Sequence, residues 1–398
     1  MKRTSHLRPA ALAVLATLWL TVAVAEPDQS QPLREGETAR AGDRSVLVKK
    51  LGTLPFVESE YSRRFKFDTF ANPKLKELRS RYQLDEVVAS GRSEFERQGL
   101  LLEWVHRQFR KFGRPSVTTH GALDILKGIA DGNTFFCAQY AELLVSAAAS
   151  LGWVDRPLAL RRHQGVAEVG GSTEHSVTEI WSNQYGKWIM LDPTLNLFIQ
   201  KDGLPLNAYE IRQEWFYRGG SNLVFVIGKE QQHYRKADLP VKLEHFQDFG
   251  DLALYPDELH KYGFIGYIPN TDLMDAGFDY AHMFIVKDQL CEGTRWHTRP
   301  LPANPAVDPY FPIGQATLSL RPSPQGIAVS FNTLTPNFDR YEARLDHAGW
   351  KTVPGVFVWP LHPGRNVLEA RTVNQFSISG PVSLAELEVG AGENPAVR

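Results

Sequence analysis

Residues 133–152 read NTFFCAQYAELLVSAAASLG, and this stretch decides how the centre of the chain folds. Its apolar residues recur at helical spacing, which predicts a helix with one buried face. The two polar residues that open the stretch offer an N-cap for a helix that starts near Phe135 or Cys137 and runs to Leu151. Gly152 then stands just past the last turn, where a glycine commonly ends a helix.

Helices precede this stretch and strands follow it. Helical periodicity predicts helices over 75–84, 94–111 and 122–130. Segments rich in β-forming residues follow over 157–163, 174–181 and 187–192. A run of helices followed by an antiparallel sheet is typical of an α+β domain.

Composition divides the chain into four parts. A basic start, an apolar run and a small-residue cleavage site predict a secretory signal peptide over residues 1–25. Residues 26–95 form an N-terminal extension, of which 26–45 are polar and are predicted to be mobile. Residues 96–305 hold the α+β domain and an aromatic-rich extension. From 306 to 398, short strands separated by Pro, Gly and Asn turns predict an immunoglobulin-like β-sandwich.

Charge and motif content exclude several classes of protein. The chain has 44 Lys and Arg against 45 Asp and Glu, and this balance argues against a nucleic-acid-binding surface. No segment after the leader approaches the ~20 apolar residues of a transmembrane helix, so we expect an exported protein, periplasmic or secreted, with no membrane span after cleavage. No nucleotide-binding motif or metal-ligand spacing occurs, so we expect no cofactor and no metal.

Three residues form a chemical constellation: Cys137 opens the central helix, His175 opens one strand and Asp192 closes the next. A cysteine attacks as thiolate, and lowering its pKa from about 8.5 to about 7 takes roughly 2 kcal/mol. A helix N-terminus supplies only ~0.3–1 kcal/mol, so a neighbouring imidazolium must supply the rest. A carboxylate would hold that imidazole in the right tautomer. Two adjacent antiparallel strands can present His175 and Asp192 to each other, so we predict a thiol nucleophile.

These residues also have structural interpretations. Cys137 could be a small buried apolar residue or could form a disulfide with Cys291. Asp192 could simply start a turn, and His163 is a weaker candidate for the base. The aromatic residues between positions 215 and 296 form either a core, which is the favoured interpretation, or an exposed platform for sugars or peptides.

The spacing of the constellation carries a resemblance to a known family. His175 follows Cys137 by 38 positions, and Asp192 follows in a Leu-Asp-Pro-Thr segment 17 positions later. This ordered set, over roughly residues 98–200, resembles the core of the transglutaminase-like superfamily. Gly152 and Arg156 fall where its members often carry a Gly…Arg segment. The chain departs from the family in having a phenylalanine before the cysteine and His-Ser-Val in place of His-Ala-Trp.

The resemblance implies a fold similar to that of papain and a role for each residue. Cys137 would be the nucleophile, His175 the general base and then acid, and Asp192 the orienting carboxylate. It also points to an oxyanion donor upstream of the nucleophile, for which Trp104 is the candidate and core packing the alternative. Members include protein crosslinkers, peptidases, amidases and inactive scaffolds.

We therefore expect a cysteine hydrolase, a peptidase or amidase, that acts on a peptide or amide substrate through an acyl-thioester. One alternative is an acyl transferase that crosslinks amines. A second, from a different class, is a non-catalytic cell-envelope scaffold that binds polysaccharide.

Overall fold

The computed structural model describes residues 31–115, 118–163, 174–246, 250–286, 288, 300–303 and 308–390. The predicted leader and Cys291 lie outside these residues. Helices and strands are mixed along the chain, and the strands form several sheets.

The α-helices of the described residues lie between positions 60 and 218. Their bounds are α1 Glu60–Arg64, α2 Pro73–Arg81, α3 Leu84–Val88, α4 Glu94–Gln108, α5 Ala122–Ala130, α6 Cys137–Ser150 and α7 Ala208–Arg218. The helices predicted over 75–84, 94–111 and 122–130 are confirmed as α2, α4 and α5. Polar residues cap α2 and α4: the Asn72 side chain accepts the Lys74 backbone N–H, and the Ser93 side chain accepts the Glu96 backbone N–H.

The strands extend over most of the described chain. Their bounds are β1 Thr38–Ala41, β2 Arg44–Gly52, β3 Lys66–Phe67, β4 Asp155–Arg161, β5 Glu174–Ser182, β6 Lys187–Leu191, β7 Leu197–Lys201, β8 Leu204–Pro205, β9 Val224–Ile227, β10 Gln232–Arg235, β11 Val241–Phe246, β12 Gly250–Leu254, β13 Phe264–Tyr267, β14 Asn270–Thr271, β15 Phe284–Val286, β16 Leu301–Ala303, β17 Thr317–Ser323, β18 Gly326–Asn332, β19 Phe338–Leu345, β20 Lys351–Val353, β21 Val356–Trp359, β22 Gly364–Asn374 and β23 Ser383–Val389. Three short 3₁₀ helices within the described residues are Lys236–Asp238, Glu258–Gly263 and Tyr280–His282. The three predicted strands after the central helix are confirmed as β4, β5 and β6.

A central sheet of order β16-β15-β13-β4-β5-β6 separates two cores. Ile180 and Ile189 face a core shared with helices α2 to α6. Trp181 and Trp188, one residue away on the same strands, face a second core shared with α7 and β7. Successive side chains on a strand point to opposite faces, so one pair of strands supports both layers. Strands β13, β15 and β16 come from the aromatic-rich extension that follows position 200. This extension therefore completes the central sheet.

The aromatic residues of that segment are mainly core. Those buried in the structure are Trp215, Phe225, Phe246, Tyr262, Phe264, Tyr267 and Phe284. The favoured core interpretation is therefore confirmed for these residues, because rings enclosed in the protein cannot form an exposed platform.

Two antiparallel sheets, β1-β2-β23-β22-β19-β20 and β17-β18-β21, share a core near the C-terminus that includes the fully buried Trp359. Strand β2 pairs with β23, with Val46 opposite Val389. The prediction of a mobile segment over 26–45 is therefore wrong for residues 38–45, because pairing with a strand more than 300 positions away orders them. The predicted parts 26–95 and 306–398 each contribute strands to one hydrogen-bonded sheet.

Gly380 allows close packing beside this sheet, and replacing it is expected to destabilise the protein. A methyl group there would overlap the Gly314 carbonyl oxygen and lie 2.7 Å from Thr372 Oγ1. Gly380→Ala should lower the free energy of unfolding by about 1–3 kcal/mol, the usual cost of overpacking. Urea denaturation measures this change. Gly349→Ala is the matched control, since no atom lies within 4 Å of its added methyl group, and an equal loss in both variants would contradict the prediction.

Candidate active site

Helix α6 places Cys137 at its first position, against strands β4 and β5 of the central sheet. A β-bridge between Phe135 and Phe112 keeps the chain before the helix extended, and Phe136 is the N-cap residue, with no side-chain hydrogen bond. Thr134 donates its hydroxyl to a backbone carbonyl of the preceding loop. The predicted N-cap is therefore wrong, although the helix begins at one of the two predicted positions. The Cys137 side chain is half-buried.

Strands β5 and β6 bring His175 and Asp192 together at one end of the central sheet. Thr178 pairs with Leu191, so His175 stands on β5 beyond the end of β6 and Asp192 directly follows β6. The two side chains are buried, with 2.7 Å between His175 Nε2 and Asp192 Oδ2. The other carboxylate oxygen accepts two backbone N–H groups of the following turn at 3.0 Å each. Asp192 thus starts a turn and orients the imidazole at the same time.

The charges of the site alter the protonation of both Cys137 and His175. Burial raises the pKa of the Cys137 thiol, but the hydrogen bond and charge of His175 outweigh burial and leave this pKa below its usual value. Burial lowers the pKa of His175, but the charge and hydrogen bond of Asp192, with the Cys137 contact, raise it to about 10. These opposite shifts favour a thiolate beside an imidazolium at neutral pH.

Three further groups interact with the Cys137 sulfur, and the sequence analysis did not indicate them. The Ser176 backbone N–H donates to Cys137, and the charge of Lys261 also lowers the pKa of the thiol. Lys261 is 7% exposed and is paired with Glu258. The Tyr280 phenol interacts with both Ser176 and Cys137. Ser176 could have been inferred as the neighbour of His175, but Lys261 and Tyr280 come from a segment without clear periodicity and carried no signal.

Trp104, the predicted oxyanion donor, lies on α4 and contacts a neighbouring aromatic ring. Its ring packs edge-on against Tyr82, with 5.8 Å between the ring centroids. His106, two residues further along α4, contacts Tyr140 of α6, with 6.4 Å between the ring centroids. The contact with Tyr82 favours the core-packing alternative for Trp104. The weaker base candidate, His163, packs its ring against Phe216 with 5.2 Å between centroids.

Replacing Asp192 with asparagine is expected to shift the pH dependence of the site. An asparagine has no charge to stabilise the imidazolium, so the pKa of His175 should fall from about 10 towards or below its usual value of about 6.5. The His175 imidazolium then loses its proton at a lower pH. Because the imidazolium is the general acid, turnover at pH 8 should fall about tenfold or more. A pH–rate profile measures the shift. An alkaline limb unchanged from wild type would contradict it.

The described residues contain no group of three or more His, Cys, Asp or Glu side chains placed to hold a metal ion. None of the helices in the described ranges is long and apolar enough to cross a membrane. Compared with models of known protein families the chain matches none, and a search of the curated proteins finds no significant match. The function must therefore be inferred from the geometry of the residues themselves.

Proposed function

We propose that this protein is an exported cysteine hydrolase, a peptidase or amidase, that acts through an acyl-thioester on Cys137. The observation that carries the proposal is the 2.7 Å contact of His175 with Asp192, beside a thiol whose pKa the same histidine lowers. A structural cysteine in an apolar core would have its pKa raised by burial instead. The shift towards thiolate supports a nucleophile.

Each half of the reaction uses the same three side chains. The Cys137 thiolate attacks the amide carbon, and the carbonyl electron pair moves onto oxygen. The tetrahedral intermediate then collapses and the C–N bond breaks. The leaving amine takes its proton from His175 Nδ1, the ring nitrogen that does not contact Asp192. Neutral His175 then takes a proton from a water molecule as the water oxygen attacks the thioester. The C–S bond breaks, the acid product leaves, and thiolate and imidazolium are regenerated while Asp192 holds the ring.

The proposal includes the finer fold assignment, a transglutaminase-like, papain-like core followed by an immunoglobulin-like sandwich. The order of a helix that begins at cysteine, a strand with histidine and a following aspartate supports the first. Arg156, four positions after Gly152 in the Gly…Arg segment, is fully buried. The shared core of the two sheets near the C-terminus supports the second. Export is proposed from the leader-like composition of residues 1–25, and it places the peptide or amide substrate in the periplasm or outside the cell.

The test is direct detection of the acyl-enzyme. Mixing the protein with p-nitrophenyl acetate should release a burst of one nitrophenolate per molecule, and mass spectrometry should find the acetyl group on Cys137 and not on Cys291. Cys137→Ser is the control and should give no acylated cysteine. An added primary amine that appears in the product would favour the acyl transferase. No burst, with slow and equal iodoacetamide labelling of both cysteines, would favour the polysaccharide-binding scaffold.

A further inference from the structure

A buried hydroxyl near the nucleophile has no use in the fold. Tyr140 lies on α6 three residues after Cys137 and is fully buried. Its hydroxyl has no hydrogen-bond partner among the residues that the structure describes. An unpaired buried polar group destabilises the folded protein, and a phenylalanine would fill the same space without that cost. The hydroxyl is therefore a donor left free for another purpose.

The ring of Tyr140 is held firmly, which fixes the position of its hydroxyl. Phe109 stacks on it, with 3.5 Å between centroids and 11° between the ring planes. Phe112 packs edge-on at 6.1 Å and His106 lies tilted at 6.4 Å. A ring enclosed in this way has few alternative rotamers, so the position of its hydroxyl is fixed. Preorganised donors of this kind are the most effective at stabilising a developing negative charge.

The surroundings of this hydroxyl keep it protonated. Burial raises the pKa of Tyr140, and the negative charges of Glu244 and Cys137 raise it further. The phenol therefore remains a donor at every pH at which the protein is expected to act. Cys137 and Tyr140 are three positions apart on α6, and side chains at this spacing are neighbours on the helix surface.

Attack on an acyl carbon requires donors for the oxyanion that forms. The Cys137 backbone N–H at the start of α6 supplies one donor, and a second is needed. We propose that the Tyr140 hydroxyl is the second donor, a role that depends on the proposed hydrolase function. The phenol keeps its proton throughout. It donates to the oxygen while the C–S bond forms and the carbonyl electron pair resides there, and the contact weakens when the carbonyl re-forms.

Two reactions of the same sulfur test this role. Acylation by p-nitrophenyl acetate passes through an oxyanion, whereas alkylation by iodoacetamide displaces iodide from a saturated carbon and forms none. Tyr140→Phe should slow the acylation burst about 10²-fold, the effect of removing one oxyanion donor, and leave alkylation within about twofold of wild type. Its thermal midpoint should equal or exceed that of wild type, because an unpaired buried hydroxyl is removed.

Tyr61→Phe is the matched control. Tyr61 is also fully buried, but its hydroxyl donates to the Ile268 carbonyl oxygen at 3.3 Å. This variant should leave the ratio of acylation to alkylation unchanged, even if it loses stability. The ratio in Tyr140→Phe therefore reports the oxyanion and not general disturbance of the core.

The possible failures are distinguishable. An unchanged ratio in Tyr140→Phe, with a normal burst in wild type, overturns the role of Tyr140 and leaves the hydrolase proposal intact. A parallel fall in both rates also overturns it, because the hydroxyl would then act on the thiolate. A wild-type protein that forms no acyl-thioester overturns both proposals.

Discussion

Replacing His175 with alanine is expected to reduce amide hydrolysis by about 10⁴-fold, the upper end of what a general acid–base contributes. The effect should be large because one ring has two tasks. It lowers the pKa of the Cys137 thiol, and it carries the proton that the leaving amine needs. Asp192 Oδ2 lies 2.7 Å from His175 Nε2. Asp192 cannot take over the two tasks of the imidazole, because it acts on the site through that ring, which the variant lacks.

The same variant should slow alkylation of Cys137 in a pH-dependent way. Without His175, only the weaker effects of the Ser176 N–H and the Lys261 charge oppose burial of the sulfur, and the thiol's pKa should rise to or above about 8.5. At pH 6, only about one such thiol in 300 is ionised. The higher nucleophilicity of a more basic thiolate offsets part of this loss, so the rate at pH 6 should fall about tenfold or more. The deficit should disappear as the pH rises above 9, where both proteins hold thiolate.

His163→Ala is the matched control for this prediction. His163 lies two residues after the end of β4, and its ring packs against Phe216. This variant should retain wild-type alkylation and amide hydrolysis. If His163→Ala lost as much activity as His175→Ala, or if the alkylation profiles of His175→Ala and wild type were parallel from pH 6 to 9, the thiolate–imidazolium pair would be excluded.

Replacing Arg156 with methionine is expected to lower the free energy of unfolding by about 3–5 kcal/mol. Arg156 and Glu179 lie opposite each other on β4 and β5 and are both completely buried. The guanidinium donates to Glu179 Oε2 at 2.6 and 3.1 Å and lies 4.1 Å from the Trp188 ring centroid. Removing the Arg156 guanidinium leaves the buried Glu179 carboxylate without a cation. This uncompensated buried charge is the reason that breaking a buried ion pair is strongly destabilising.

Two further variants separate the charge from the packing. Arg365→Met removes an exposed partner of Glu386 at 2.9 Å and should cost no more than about 1 kcal/mol. Combining Arg156→Met with Glu179→Gln removes both charges and should recover part of the loss. Chemical denaturation measures all three. A loss for Arg156→Met no greater than for Arg365→Met would show that the buried pair is not what stabilises this sheet.

The elements around the site were predictable because they depend on neighbouring residues. The period of 3.6 in 122–130 and the dense β-formers in 174–181 specify α5 and β5 within a residue of their observed bounds. The N-cap of α6 was not predictable in the same way. Thr134 hydrogen bonds to the preceding loop instead, and a bridge to Phe112 selects Cys137 as the first helical residue.

The sequence by itself determined helices α2, α4, α5 and α6, strands β4 to β6, and the chemical identity of the thiol, imidazole and carboxylate. Only the tertiary structure decided that β2 pairs with β23, that Trp104 packs on Tyr82, and that the buried Tyr140 hydroxyl has no hydrogen-bond partner among the described residues. Backbone propensity and periodicity act over a few neighbouring residues, so they can be read locally. Contacts between distant segments depend on the sum of many weak packing interactions across the whole chain, and no short pattern encodes that sum.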